Sequence, residues 1–291
     1  MNEVKAALLT IVIANYNYGR FLKYAIESIL RETDCVDGKR LIIGGAAIEL
    51  VICDAGSSDN SLGIIKEYAD RIFWWCSEPD GGQSAAFNKG FSHGTGKYLT
   101  WLNADDMYVY GGLKATVKAM LAHPECDWFT GNTVGFLDGG PIIHAAVGPH
   151  WFPYWLQFRI SPIVMPGPTS FFSRKIYEEV GRIEEYLHYT MDTVLWIKFI
   201  IRGFKQRRIL PLVWAFRYHD ASKTCEFEGH KLDDGKKQRM RAEFERATKG
   251  MGYIPSKAIH IIYLFFRLLD GSLIRRYYYW HFKKYIKGIN R

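Results

Sequence analysis

Residues 98–106 read YLTWLNADD, an apolar run that ends abruptly in an amide and two carboxylates. Tyr98 to Leu102 has the length and the bulky side chains of a buried strand. Its end exposes Asn103, Ala104, Asp105 and Asp106 together, and adjacent carboxylates with no cation beside them in sequence need a counterion. A hard divalent cation takes oxygen ligands and commonly bridges a carboxylate to substrate phosphates, so Mg2+ or Mn2+ holding a diphosphate suits the pair. Taken alone, such a doublet is more often a plain turn, one Asp capping it and the other solvated.

Upstream, the apolar runs Leu8 to Ala14 and Ile48 to Cys53 flank a segment whose Leu22, Ile26, Ile29 and Leu30 fall at helical spacing. A second helix is expected over Asp59 to Tyr68, a third strand over Arg71 to Cys76, and a third helix over Ser84 to Phe91 after the turn at Asp80-Gly81-Gly82. This alternation predicts an α/β fold, a mostly parallel central sheet flanked by helices. Ligands in such folds gather at the carboxyl ends of the strands. Three polar clusters fall there: Asn15-Tyr16-Asn17, Asp54, and Asn103 to Asp106.

The second half is less regular. Helices are expected over Ser173 to Val180 and Met191 to Ile201, then a strand over Ile209 to Phe216. From about Phe227 a charged helical stretch leads into an apolar, basic-aromatic tail, which divides the chain into a domain over 1–226 and a C-terminal helical appendage over 227–291.

At 291 residues and 48% hydrophobic, the chain is long enough for a sizeable core, and it has no apolar run of the roughly 18 residues that a membrane-spanning helix needs. The apolar run Ala6 to Ala14 leads into Asn15-Tyr16-Asn17 rather than a small-residue cleavage site, so it reads as a buried first strand. Five scattered cysteines without a Cys-x-x-Cys pair suit reduced thiols and a cytoplasmic protein. Over residues 255–291 eight Lys/Arg face one acid, Asp270, so nearly all of the +8 net charge sits in the tail. That asymmetry points to a local anionic partner.

Six segments in order, LTIVIANYN (9–17), LVICDAGSSD (50–59), SEPDGGQSAAFNKG (77–90), YLTWLNADD (98–106), MDTVLW (191–196) and HDASKT (219–224), resemble the family 2 glycosyltransferases of the inverting, GT-A-fold kind. The resemblance covers about residues 7 to 225. It implies a nucleotide-diphosphate-sugar donor, UDP or dTDP in preference to GDP. Tyr16 and Ala14 would lie along the base, Asp54 would accept from a pyrimidine imide N–H, and Gln83, Asn88, Asn103, Asp105 and Lys223 would complete the donor site. Asp105 and Asp106 would hold Mn2+ or Mg2+, Asp106 as the principal ligand, with His219 a further candidate. Asp192 would be the general base that takes a proton from the acceptor hydroxyl.

The chain departs from the family's commonest pattern at Asn103 and Ala55, where relatives carry acids, at Phe87, where an Arg is frequent, and at Met191, where a Glu often precedes the base. A catalytically inactive nucleotide-sugar-binding protein of the same fold is the alternative that these departures raise. The Gln-x-x-Arg-Trp motif of processive members is absent, which implies transfer of one sugar per encounter.

In the tail, Arg275, Arg276, Tyr277 to Trp280, Lys283, Lys284 and Lys287 interleave cations with interfacial aromatics. Such a segment suits the surface of an anionic membrane, hence a peripheral position on its cytoplasmic face and a lipid-linked or other glycan acceptor. The competing reading is a helical hairpin packed on the domain. Nucleic acid is not expected as a partner, since no recognition motif accompanies the charge.

Overall fold

The computed structural model describes residues 7–146, 167–221, 233–252 and 256–281. In chain order the first half runs β1 (Leu9–Asn15), α1 (Gly19–Leu30), β2 (Cys35–Asp37), β3 (Arg40–Ile43), β4 (Ala46–Asp54), α2 (Ser61–Glu67), β5 (Trp74–Ser77), α3 (Gln83–His93), β6 (Tyr98–Asn103), β7 (Met107–Tyr108) and α4 (Gly112–Ala122). The second half adds β8 (Trp128–Leu137), β9 (Ile142–Ala146), β10 (Ser170–Ser173), α5 (Arg174–Glu179), α6 (Met191–Ile201), β11 (Gln206–Tyr218), α7 (Asp234–Thr248), α8 (Lys257–Leu269) and α9 (Ser272–His281).

The strands form one mixed sheet. At its centre β5, β4, β1 and β6 are parallel, with Ala14 opposite both Cys53 and Asn103. β10 joins antiparallel between β6 and β8, β11 runs parallel to β8, and β7 pairs antiparallel with β11. The GT-A arrangement expected from the motifs is thus present, with antiparallel additions at β2–β3 and β9.

Strands covered on both faces read as unbroken apolar runs, and β1 shows why. Its Leu9, Ile11 and Ile13 pack with Leu22, Ile26 and Ile29 of α1 on one side, while Val12 faces Phe87 and Phe91 of α3 on the other. The α3 contact is close. A Cβ on Gly90 would lie 2.4 Å from Val12 Cγ1, so only glycine lets the helix settle there.

The helix that carries Asp192 is anchored in the same way. Trp196 of α6 stacks on Trp101 of β6 with ring centroids 5.5 Å apart and an interplanar angle of 3°. Beyond the sheet, Ala247 of α7 enters the core beneath α6, and α9 packs on β9. Much of α8 stays bare. Ile261, Phe265, Leu268 and Leu269 are each more than half exposed, and so are Ile274, Tyr277 and Tyr278 of α9. Among the described residues no helix is long and apolar enough to cross a membrane.

Candidate active site

The carboxyl ends of β1, β4 and β6 open onto a cleft of about 860 Å³ that α3, α6 and β11 enclose. Ala14, Tyr16, Ala55, Gln83, Asn103 and Asp105 line one half, and Asp192 stands in the wall with Met191 and Tyr189. Tyr16 is 59% exposed, which leaves its ring face free for a ligand. The loop that presents it is stiff: Asn17, at φ 56°, donates its N–H to Ser57 Oγ and accepts from Ser58 N–H.

Asp54 sits beside Asn15 in register, yet it is not part of the cleft lining. Its carboxylate accepts from Asn15 Nδ2 (2.6 Å), Ser57 Oγ, Ser57 N (3.0 Å) and Ser77 Oγ (2.6 Å), which fills its acceptor positions. Burial pushes this carboxyl up, but the hydrogen bonds from Ser57, Ser77 and Asn15 outweigh it and hold the pKa below the ordinary range. A nucleotide base would have to displace one of these donors to reach it.

The acidic doublet is split by the fold, and Asp106, the expected principal metal ligand, is set away from the cleft. Asp106 is fully buried beneath the cleft, where it accepts from Arg217 N (2.9 Å) and Asn103 Nδ2 (2.8 Å). Burial and the neighbouring Asp105 carboxylate push its pKa well above the carboxylate range. Asp105 is the member that faces the cleft, with Oδ2 2.9 Å from His219 Nε2. Both lie in the turn that follows β6, closed by Asp106 N–H donating to Asn103 O at 3.1 Å, and this turn sends one carboxylate into the cleft and the other beneath it.

His219 is 3% exposed and wedged between the rings of Tyr18 and Phe21, at 5.7 Å and 4.7 Å. Ala221 N–H approaches its Nδ1 at 3.2 Å, a geometry that makes Nε2 the protonated nitrogen and a donor to Asp105. Gln83 Nε2 donates to Asn103 Oδ1 at 2.9 Å, so a chain of amides runs from the cleft to Asp106. Among the described residues no three His, Cys, Asp or Glu side chains cluster as a cage. Asp105 and His219 make an edge that could hold a cation, since Mg2+-type sites commonly take one or two protein groups and draw the rest from substrate phosphates.

Asn88, expected among the donor contacts, is also turned toward the protein. It does not line the cleft; its Nδ2 donates to Ile183 O (2.9 Å) and Glu185 Oε1 (3.0 Å), and its Oδ1 accepts from the Tyr177 hydroxyl. With every polar atom of its amide engaged, it ties α3 to the loop that leads into α6. Two more side chains hold that loop. Lys198 reaches Glu184 at 2.6 Å, and Glu243 of α7 accepts from the N–H groups of His188, Tyr189 and Thr190 and from the Thr190 hydroxyl at 2.8–2.9 Å.

This scaffolding ends at Asp192. Among the described residues its hydrogen bonds come from Thr193 N (2.6 Å) and Thr193 Oγ1 (3.2 Å), both to Oδ1, which leaves Oδ2 without a protein donor. Burial raises its pKa above that of an ordinary Asp, which makes it a stronger proton acceptor once ionised. Lys223 lies outside the described residues.

Sequence reasoning missed Tyr18, Arg217 and Glu243. Arg217 could have been suspected from its place two residues before His219, on the strand that ends at the cleft. Its guanidinium donates to Asp105 O (2.8 Å) and pairs with Asp138 (2.7 Å), so one residue braces both halves of the doublet. Glu243 gave no signal, because its partners are backbone groups fifty residues away.

The sequence profile of "Glycosyl transferase family 2" matches residues 10–181. The chain belongs to that family. Members similar to it include uncharacterized glycosyltransferases of Rickettsia typhi, 24% identical over 66% of this chain, and of Rickettsia prowazekii, 25% identical over 68%. This chain spans 58% and 60% of their lengths. It is also 26% identical, over half of its length and 53% of the partner's, to an Escherichia coli UDP-Glc:alpha-D-GlcNAc-diphosphoundecaprenol beta-1,3-glucosyltransferase, WfgD.

Solved structures confirm the fold. S. aureus TarS in complex with UDP-GlcNAc superposes with a TM-score of 0.58 at 13% identity, covering 84% of this chain and 73% of that one. A Pyrobaculum calidifontis mannosyltransferase, in complex with GDP-Man and Mn2+, superposes with a TM-score of 0.53 at 13% identity over 98% and 86%.

Proposed function

We propose that this chain transfers one sugar from a nucleotide-diphosphate donor, UDP or dTDP, to a hydroxyl of a glycan acceptor, inverting the anomeric carbon. The observation that carries the reading is that Asp105, with His219 behind it, and Asp192, with an unengaged oxygen, line one cleft at the carboxyl ends of the parallel strands.

The donor base would lie against Tyr16 and Ala14, and the diphosphate would reach the Asp105–His219 edge past Gln83 and Asn103. Mg2+ or Mn2+ held by that edge would neutralise charge that develops on the departing diphosphate. Asp192 Oδ2 would accept the proton of the acceptor hydroxyl as its oxygen attacks from the face opposite the nucleotide. Lys223 would add a cation for the diphosphate, and the carboxylate of Asp54 would join by exchanging one of its present donors for the base.

Support for a lipid-linked acceptor comes from the bare apolar face of α8 and α9 and from WfgD, whose name specifies a diphosphoundecaprenol acceptor. An anionic membrane surface fits that face, with Arg275 and Arg276 beside it. The reaction is tested by release of nucleoside diphosphate from a panel of UDP- and dTDP-sugars with Mn2+ and a GlcNAc-diphospholipid. Release by the native chain and its loss in Asp192→Asn support the reading. Donor binding without turnover on any acceptor would favour an inactive sugar-nucleotide-binding protein instead.

A further inference from the structure

The half of the cleft away from Tyr16 is built differently. Alternation along β11 sends Trp214, Phe216 and Tyr218 to one face, and all three line the cleft. Each ring meets the next edge-on: Trp214 and Phe216 are 5.3 Å apart at 77°, Phe216 and Tyr218 4.7 Å apart at 83°. Across the sheet, Phe216 pairs with Gly135 of β8, and Gly135 pairs with His144 of β9.

Gly135 is the reason these rings converge. A Cβ there would lie 2.6 Å from Tyr218 Cε2 and 2.7 Å from His144 Nδ1, so both side chains lean into the space that the glycine leaves. His144 and Tyr218 then stand perpendicular, with centroids 6.4 Å apart. Among the polar atoms on this wall, Oγ1 of Thr133, itself 2% exposed, and Nδ1 of His144 have no hydrogen-bond partner among the described residues. Buried polar atoms in native proteins are nearly always paired, so unpaired ones lining a cleft point to a ligand. Burial, and then Arg276 of α9, lower the His144 pKa and keep the imidazole neutral, able to donate from one nitrogen and accept at the other.

A wall of aromatic rings carrying a few isolated polar atoms is suited to a pyranose, which has an apolar C–H face and a rim of hydroxyls. We propose that Trp214, Phe216, Tyr218 and His144, gathered around Gly135, form the acceptor-sugar subsite, a pyranose ring stacking on Phe216 and Tyr218 with hydroxyls bonded to Thr133 Oγ1 and His144. This assignment rests on the reading of the Tyr16 half as the donor side and of Asp192 as the base between them. It also gives the acceptor a direction of entry. α9 packs on β9, so an anionic leash behind the sugar would pass Arg276 on its way from the apolar face of α8.

Saturation-transfer NMR with octyl α-N-acetylglucosaminide and octyl α-glucoside, in the presence of UDP, reads the subsite without requiring turnover. We expect transfer to the pyranose C–H protons in the native chain. Phe216→Leu and Gly135→Ala should weaken it at least tenfold by apparent affinity while UDP binding stays within twofold. Thr133→Val, which keeps the buried volume, should weaken it severalfold. Absence of saturation transfer from both glycosides in the native chain overturns the proposal, as does unchanged transfer in folded Phe216→Leu and Gly135→Ala. A glycoside that occupies this wall, while no nucleotide sugar is ever consumed, supports the subsite and counts against the transferase reading alone.

Discussion

Asp105 Oδ2 stands 2.9 Å from His219 Nε2, joining the loop after β6 to the residue that follows β11. The contact separates the roles of two adjacent carboxylates. Asp105→Asn should lower Mn2+ affinity, measured calorimetrically with UDP present, by more than the roughly 10–100-fold that loss of a second-shell partner costs. Asp106→Ala should act on the fold, because it leaves the buried N–H of Arg217 unpaired, a loss of about 1–3 kcal/mol in urea unfolding. Equal loss of Mn2+ affinity in folded Asp105→Asn and Asp106→Asn would contradict this division.

Asp192→Asn should leave donor affinity unchanged and lower kcat by about 10²–10⁴-fold, the usual share of a general base. The pH dependence follows from burial. The base works only when ionised, and burial raises its pKa above that of an ordinary Asp, so kcat/KM should fall on acidification at a higher pH than an ordinary Asp would give. A rate independent of pH down to 4 would contradict the assignment.

Glu243 is predicted to position rather than react. Burial pushes its carboxyl up, and the N–H groups of His188, Tyr189 and Thr190 more than reverse this, holding it below the ordinary Glu range. Glu243→Ala should lower kcat severalfold with KM for the donor unchanged, and Glu243→Gln, which keeps one acceptor oxygen, should restore part of it. A purely structural contact would change the unfolding midpoint and leave kcat of the folded fraction intact.

Flotation with anionic vesicles tests the C-terminal face. Phe265→Glu and Leu268→Glu alter residues 56% and 61% exposed, so the fold should survive while recovery with vesicles falls by at least half. Equal recovery of both variants and the native chain would exclude α8 as the contact.

Much of this was legible from sequence, for physical reasons that differ from residue to residue. The strands β1, β4 and β6 announced themselves because parallel strands buried on both faces must be continuously apolar, and α6 was read over Met191–Ile201 as observed. The hairpin β2–β3 and the strands β7 to β10 did not, since their pairing depends on partners distant in sequence. At the site, Asp105, Asp192 and Tyr16 reach the cleft as read. Asn88 and Asp106 did not follow their motifs into it, because whether a polar side chain faces ligand or protein is set by neighbours such as Ile183 and Arg217. The tail was read as basic and interfacial, and its remaining residues, 282–291, lie outside the described structure.

In the proposed reaction the Asp105–His219 edge and the Tyr16 half of the cleft bind a nucleotide sugar through a divalent cation. Thermal unfolding of the native chain and of Asp105→Asn, with a panel of UDP-, dTDP- and GDP-sugars and with or without Mn2+, tests it most directly. A Mn2+-dependent rise in Tm with a uridine or thymidine donor is expected, absent in Asp105→Asn. No shift with any nucleotide sugar, or an equal shift in the variant, would contradict the account.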